Sequence, residues 1–203
     1  MPYIKWEIHK FHPTQITVGM KEVEEKKSHI QKLTHEELHT YREEHVVPVV
    51  IGPEWKYFII DHHHFVLALE LANHDHCYCK IVKDLSTLPW EIFWKKMNQA
   101  RWVHPYDENG KKRAISEIPS IVKKLKDDPY RSLAAFVRNT WIFKKTLSPF
   151  AEFEWADFFR KHIAKDFIHQ DFDKSIFIAM WLADSLEAKH LPGWIWKIIS
   201  NKK

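Results

Sequence analysis

Glycine is scarce in this chain, at 4 of 203 residues, against a usual share of about 7%. Neither G-x-G-x-x-G nor G-x-x-x-x-G-K-[ST] occurs, so the common glycine-rich phosphate loops are excluded. Cysteine is nearly absent. Cys77 and Cys79 are too few and too close together for a disulfide framework. The start, MPYIKWEIHK, has no apolar h-region, so no secretory signal is read there. No apolar run approaches the roughly 18 residues of a membrane span. A soluble, cytoplasmic protein without a membrane partner is expected. Charge of one sign is also lacking. The net charge of +4 is mild, so nucleic acid is a less favoured partner than a small molecule.

What is plentiful is histidine, at 15, with eleven before residue 103. Hydrophobic residues at 45% and charged residues at 29% fit an ordinary globular composition. The length suits one large domain or two small ones. Residues 1–102 carry 13 basic and 14 acidic side chains; residues 103–203 carry 18 and 13. The basic surplus therefore lies in the second half.

Residues 3–9 alternate in polarity, which predicts a strand. Two helices follow. The second opens on Thr34, with Glu37 three residues on, a capping box. Val46–Ile51 and Trp55–Ile60 flank Gly52-Pro53-Glu54 and read as a hairpin. His62–Ala72 reads as a buried helix, and the stretch around Cys77–Val82 as a further strand. The order is β-α-α-β-β-α-β. After Pro89 only helices are predicted, at about 90–100, 116–126, 129–142, 149–165 and 173–190. Phe158 and Phe159 stand three and four residues after Trp155, a core stripe. The fold class is α+β: a small mixed-sheet subdomain over 1–103, then an all-helical subdomain over 104–203 packed on it. The polar segment Pro105–Arg113 is the expected join.

The sharpest chemical feature is Ile59-Ile60-Asp61-His62-His63-His64. An apolar strand runs into a helix through an acid and three histidines. A helix N-terminus has free N–H groups and a positive dipole end, and so attracts anions. Histidines there would add donors aimed at phosphate. The plainer alternative is that Asp61 only caps the helix and the histidines are solvated.

Four stretches resemble the ParB/sulfiredoxin superfamily, in particular its ParB-like nuclease group. They are His12-Pro13-Thr14-Gln15 with Val18-Gly19 and Glu22–Lys26; Pro48–Pro53 with Ile60–His64; Asp128–Leu133; and Phe150–Arg160. They occur in the superfamily's order and cover about residues 3–165. The resemblance implies a fold that handles nucleotides: sulfiredoxin uses ATP, ParB hydrolyses CTP, and a related kinase phosphorylates free serine. It implies ATP or ADP with Mg²⁺, phosphates or metal held by Asp61, His62, His63 and His64, and Thr14 and Gln15 facing the nucleotide. Asp61 is the expected metal ligand. His63 and Asp61, with Glu22 as base, would be catalytic. The superfamily's arginine after the histidines is absent, since Phe65 stands there. Its charge would come from Arg131, Arg138, Lys144 or Lys145. The expected function is nucleotide hydrolysis or phosphoryl transfer to a small acceptor. The alternatives are a non-catalytic nucleotide sensor and a ParB-like nuclease. The oligomeric state stays open.

A competing signal is His35-Glu36-Glu37-Leu38-His39, an H-E-x-x-H match, with His45 where a third zinc ligand would fall. Arg42 replaces the glycine that would break the helix. A capped surface helix is the preferred reading over a zinc protease. His74, Asp75 and His76 beside Cys77 and Cys79 are spaced too tightly for a standard zinc site.

Overall fold

The computed structural model describes residues 3–144, 146 and 150–195. The chain divides into two compact units, Met1–Asp127 and Asp128–Lys203. The expected join at Pro105–Arg113 lies inside the first unit, 104–127 folding with the sheet half.

In the first unit β1 (Ile4–Glu7) leads into a short 3-10 turn. Then come β2 (Phe11–His12), β3 (Thr17–Val18), α1 (Met20–Ile30) and α2 (His35–Glu44). The pair β4 (Val47–Ile51) and β5 (Tyr57–Ile59) forms the predicted hairpin, with Val50 opposite Phe58. Next are α3 (His63–Leu71), β6 (His76–Asp84) and α4 (Trp90–Gln99). The sheet order is β1-β6-β4-β5-β2, with both parallel and antiparallel pairs. This is the mixed sheet the pattern implies.

Strand alternation splits the core between the two sheet faces. Val47, Val49, Ile59, Cys77 and Cys79 share one cluster with Phe65, Val66 and Leu69 of α3. Val50 and Phe58 join Phe93 and Met97 of α4 in another. Full burial of side chains such as Phe93 and Met97 stabilises by about 1.5–3 kcal/mol each. Gly52 closes the hairpin tightly: a Cβ there would lie 2.6 Å from the Phe58 ring and 2.9 Å from the Phe93 ring. The two cysteines are core. Burial pushes both thiols up to about 12, which removes the thiolate needed for nucleophilic chemistry.

The predicted helix over 116–126 does not form. Two 3-10 turns, Ile115–Glu117 and Val122–Lys124, flank Pro119. The chain then adds β7 (Lys126–Asp127), parallel to β3. The expectation of no strand after Pro89 is thereby corrected. Proline's missing N–H and fixed φ break the helical ladder, and Val122 and Leu125 bury against the sheet half instead.

The second unit holds α5 (Pro129–Asn139), α6 (Ala151–His162), α7 (Lys165–Gln170) and α8 (Phe172–Ala183). Asp128 caps α5 by accepting from Tyr130 N–H, with Pro129 in the first turn. Trp155, Phe158 and Phe159 are core, as the stripe predicts. Trp155 stacks on Phe143 at 4.0 Å between ring centroids, and its indole N–H donates to Pro192 O at 2.9 Å. The predicted helix over 173–190 stops at Ala183; a 3-10 turn, Leu186–His190, follows Ser185. The expected start at Pro149 and the candidate Lys145 lie outside the described residues.

Candidate functional site

The site forms where β5 meets α3. His62 takes the N-cap position in a left-handed conformation, φ 65°, and the Asp61 carboxylate accepts its N–H at 2.7 Å. Asp61 thus acts one residue earlier than a standard cap and is exposed. The next two histidines point inward. His63 Nε2 accepts the Thr14 N–H at 3.1 Å, and Thr14 Oγ1 donates to Ile59 O at 2.8 Å. His64 Nε2 accepts the Gly19 N–H at 2.9 Å. Each neutral ring that accepts at Nε2 carries its proton at Nδ1, an assignment made from the hydrogen-bond network. Two consecutive histidines therefore fasten the start of α3 to both ends of the Thr14–Gly19 loop.

That loop is buried although it is polar. Thr14, Gln15 and Thr17 are 2%, 6% and 2% exposed, and burial of such groups demands hydrogen-bond partners. Gln15 Nε2 donates to Thr17 O at 2.8 Å. His104 N–H donates to Thr14 O at 2.8 Å, and Lys126 N–H to Ile16 O at 3.0 Å. Asp127 reaches back to accept the Met20 N–H at 2.9 Å, so a carboxylate stands at the start of α1. The sequence shows nothing of this cap, because its partners lie 107 residues apart.

Glu22, on the first turn of α1, is buried. Its Oε2 lies 3.5 Å from His64 Nε2, and its Oε1 lies 3.2 Å from Lys26 Nζ. The His64 nitrogen thus faces a backbone N–H at 2.9 Å and a carboxylate at 3.5 Å. The shorter contact selects the accepting tautomer. Protonation at Nε2 would trade the Gly19 contact for one with Glu22. The structure brings Thr14 to His63 and Glu22 to His64 beside the α3 N-terminus, while the Gln15 amide turns to Thr17 within the loop. Nearby on β2, burial with the Lys56 charge holds His12 below its ordinary 6.5.

Arg131 and Arg138 belong to the second unit. The Arg131 guanidinium lies 3.4 Å from the Phe153 ring centroid. Arg138 pairs with Glu152. In the same unit Arg160 pairs with Asp128 and Asp157. Burial raises the Asp157 pKa, and Arg160 opposes the rise. These basic side chains already have acidic or aromatic partners.

The H-E-x-x-H helix has no zinc geometry. The Thr34–Glu37 capping box forms as read, and α2 runs unbroken through Arg42. Arg42 is buried and bonds His76 at 3.2 Å. His45 Nδ1 lies 2.8 Å from the Tyr41 carbonyl oxygen and donates to it. Among the described residues no three His, Cys, Asp or Glu side chains gather as a metal site.

A mixed five-stranded sheet, a strand-to-helix histidine turn and a following helical unit define an α+β protein of the ParB/sulfiredoxin type. The chain belongs to the family described as "Putative ParB-like nuclease", whose pattern matches residues 4–161. It is similar to protein Atu1540 from Agrobacterium tumefaciens, known from a crystal structure. The identity is 39%, over 96% of this chain and 98% of that one, with a TM-score of 0.89. No curated protein matches. Among the described residues no helix is long and apolar enough to cross a membrane.

Proposed function

We propose that the first unit binds a nucleotide through its phosphates at the α3 N-terminus and that Glu22 takes a proton during cleavage of a phosphate bond. The observation that carries this reading is the locking of His63 and His64 onto Thr14 and Gly19. It fixes an anion-attracting helix end beside the buried Glu22–His64 pair. Catalysis of phosphoryl transfer is mostly positioning and electrostatics, and a doubly anchored helix end is pre-positioned.

In hydrolysis a water attacks the terminal phosphorus while Glu22 accepts its proton. The bond to the bridging oxygen breaks, and its electrons leave with the shortened nucleotide. Lys26 holds Glu22 in place through its ammonium at 3.2 Å, and Glu22 then releases that proton to solvent. Magnesium characteristically binds one or two carboxylates together with substrate phosphates. The exposed Asp61 carboxylate suits such a shared site, and the ion would neutralise phosphate charge.

The family match favours a second reading, in which the scissile bond is a nucleic-acid phosphodiester. Equilibrium binding of ATP, ADP and a short oligonucleotide, each with and without Mg²⁺, separates the two. The expected result is saturable nucleotide binding that strengthens with Mg²⁺, with phosphate release on incubation. Binding without release makes the protein a sensor. Cleavage of the oligonucleotide alone supports the second reading. Binding of none of them refutes both.

A further inference from the structure

Helix α8 is apolar on both sides. Ser175, Ala179, Leu182 and Ala183 face the helical core. On the opposite side Phe177 is 71% and Trp181 74% exposed. A helix that is apolar all round is ordinarily covered all round, and isolated surface apolar residues differ from a contiguous aromatic pair one turn apart. The stripe on that side reads Lys174, Phe177 and Trp181, all exposed, and ends at the half-buried Asp184. Its spacing of three, four, three is the a/d repeat of a packed helix pair.

The order of the stripe chooses its occupant. It has a cation at the N-terminal end, two aromatics in the middle and an anion at the C-terminal end. Two copies of α8 laid antiparallel place Lys174 of each against Asp184 of the other, and Phe177 against Trp181. A parallel pair would set lysine on lysine and aspartate on aspartate, which is repulsive. The stripe is therefore complementary to itself in one orientation, as an interface on a two-fold axis requires.

Asp184 is the C-cap of α8, where the helix dipole disfavours negative charge, and a lysine from a second copy would set a compensating cation beside it. Lys174 is 74% exposed while bonding Asp171 at 2.8 Å, and an ammonium has three donors to share.

We infer that α8 is a self-association surface through which two copies of this chain pair antiparallel, Phe177 packing on Trp181 and Lys174 meeting Asp184. One helix pair is small for an interface, so a reversible dimer in the micromolar range is expected. Sedimentation equilibrium over about 1–100 µM tests it. Trp181→Glu should raise the dimer Kd at least about tenfold, as loss of a central aromatic does. Lys174→Glu and Asp184→Lys should each weaken the dimer, and the two together should restore it. Melting curves at dilutions where the wild type is monomeric check that each variant folds. A wild type that stays monomeric over the whole range overturns the proposal. So does a dimer indifferent to Trp181→Glu, or one in which the charge-swapped pair is weaker than either single variant.

Discussion

Glu22→Gln should lower the rate of phosphate release by about 100- to 10,000-fold, the usual contribution of a positioned general base. Glutamine keeps the length of the side chain and can still meet Lys26 and His64 through its amide. What it loses is the ability to take a proton. Nucleotide affinity should change little, because Glu22 lies on α1 while the phosphates are held at α3. A fall in kcat with KM nearly constant is therefore the expected signature, read by steady-state kinetics. Loss of affinity with turnover intact would move Glu22 from proton transfer to binding. His64→Gln provides a comparison. Its amide oxygen can still accept the Gly19 N–H, and it should reduce turnover less than Glu22→Gln does.

His63→Ala should cost about 2–4 kcal/mol of stability. The ring is 4% exposed and accepts the buried Thr14 N–H. Its removal leaves that donor unsatisfied, worth about 1–3 kcal/mol, and opens a cavity beneath α3. A fall in melting temperature of about 5–15 °C follows for units of this size. His63→Gln retains an acceptor near the Nε2 position and should recover part of the loss. An alanine variant within about 0.5 kcal/mol of wild type would show that the Thr14 contact is dispensable. The prediction separates the two inward histidines in kind. His63 bonds the loop at Thr14, whereas His64 bonds it at Gly19 and meets Glu22 as well.

The sheet half was legible in the sequence because period-2 alternation and turn residues mark it. The hairpin around Gly52, the buried run from Phe65 to Leu69 and the Thr34 capping box all formed as read. The failure over residues 116–126 has a non-local cause. Residues 116–126 have helical spacing, yet Pro119 and the pairing of β7 with β3 override it. That pairing joins residues more than 100 positions apart, and nothing local signals it. At the site, the cluster of three histidines was visible but their directions were not. His62 adopts a left-handed cap while His63 and His64 turn inward to accept backbone N–H groups. A histidine that accepts at Nε2 cannot donate to phosphate from that nitrogen. The phosphate-facing groups of the proposed site are therefore the α3 N-terminus and the loop, with the histidines holding them in place. The H-E-x-x-H match misleads for a related reason. Its third histidine needs a break in the helix, and Arg42 instead carries the helix onward and inward.

The most direct test of the phosphate site at the α3 N-terminus is a titration of isotopically labelled protein with a magnesium-nucleotide complex, following backbone amide signals by nuclear magnetic resonance. The account predicts saturable shifts concentrated at His62–Val66 and Gly19, with the far end of β6 unmoved. Saturable shifts confined to another part of the chain, or none at all, would contradict it.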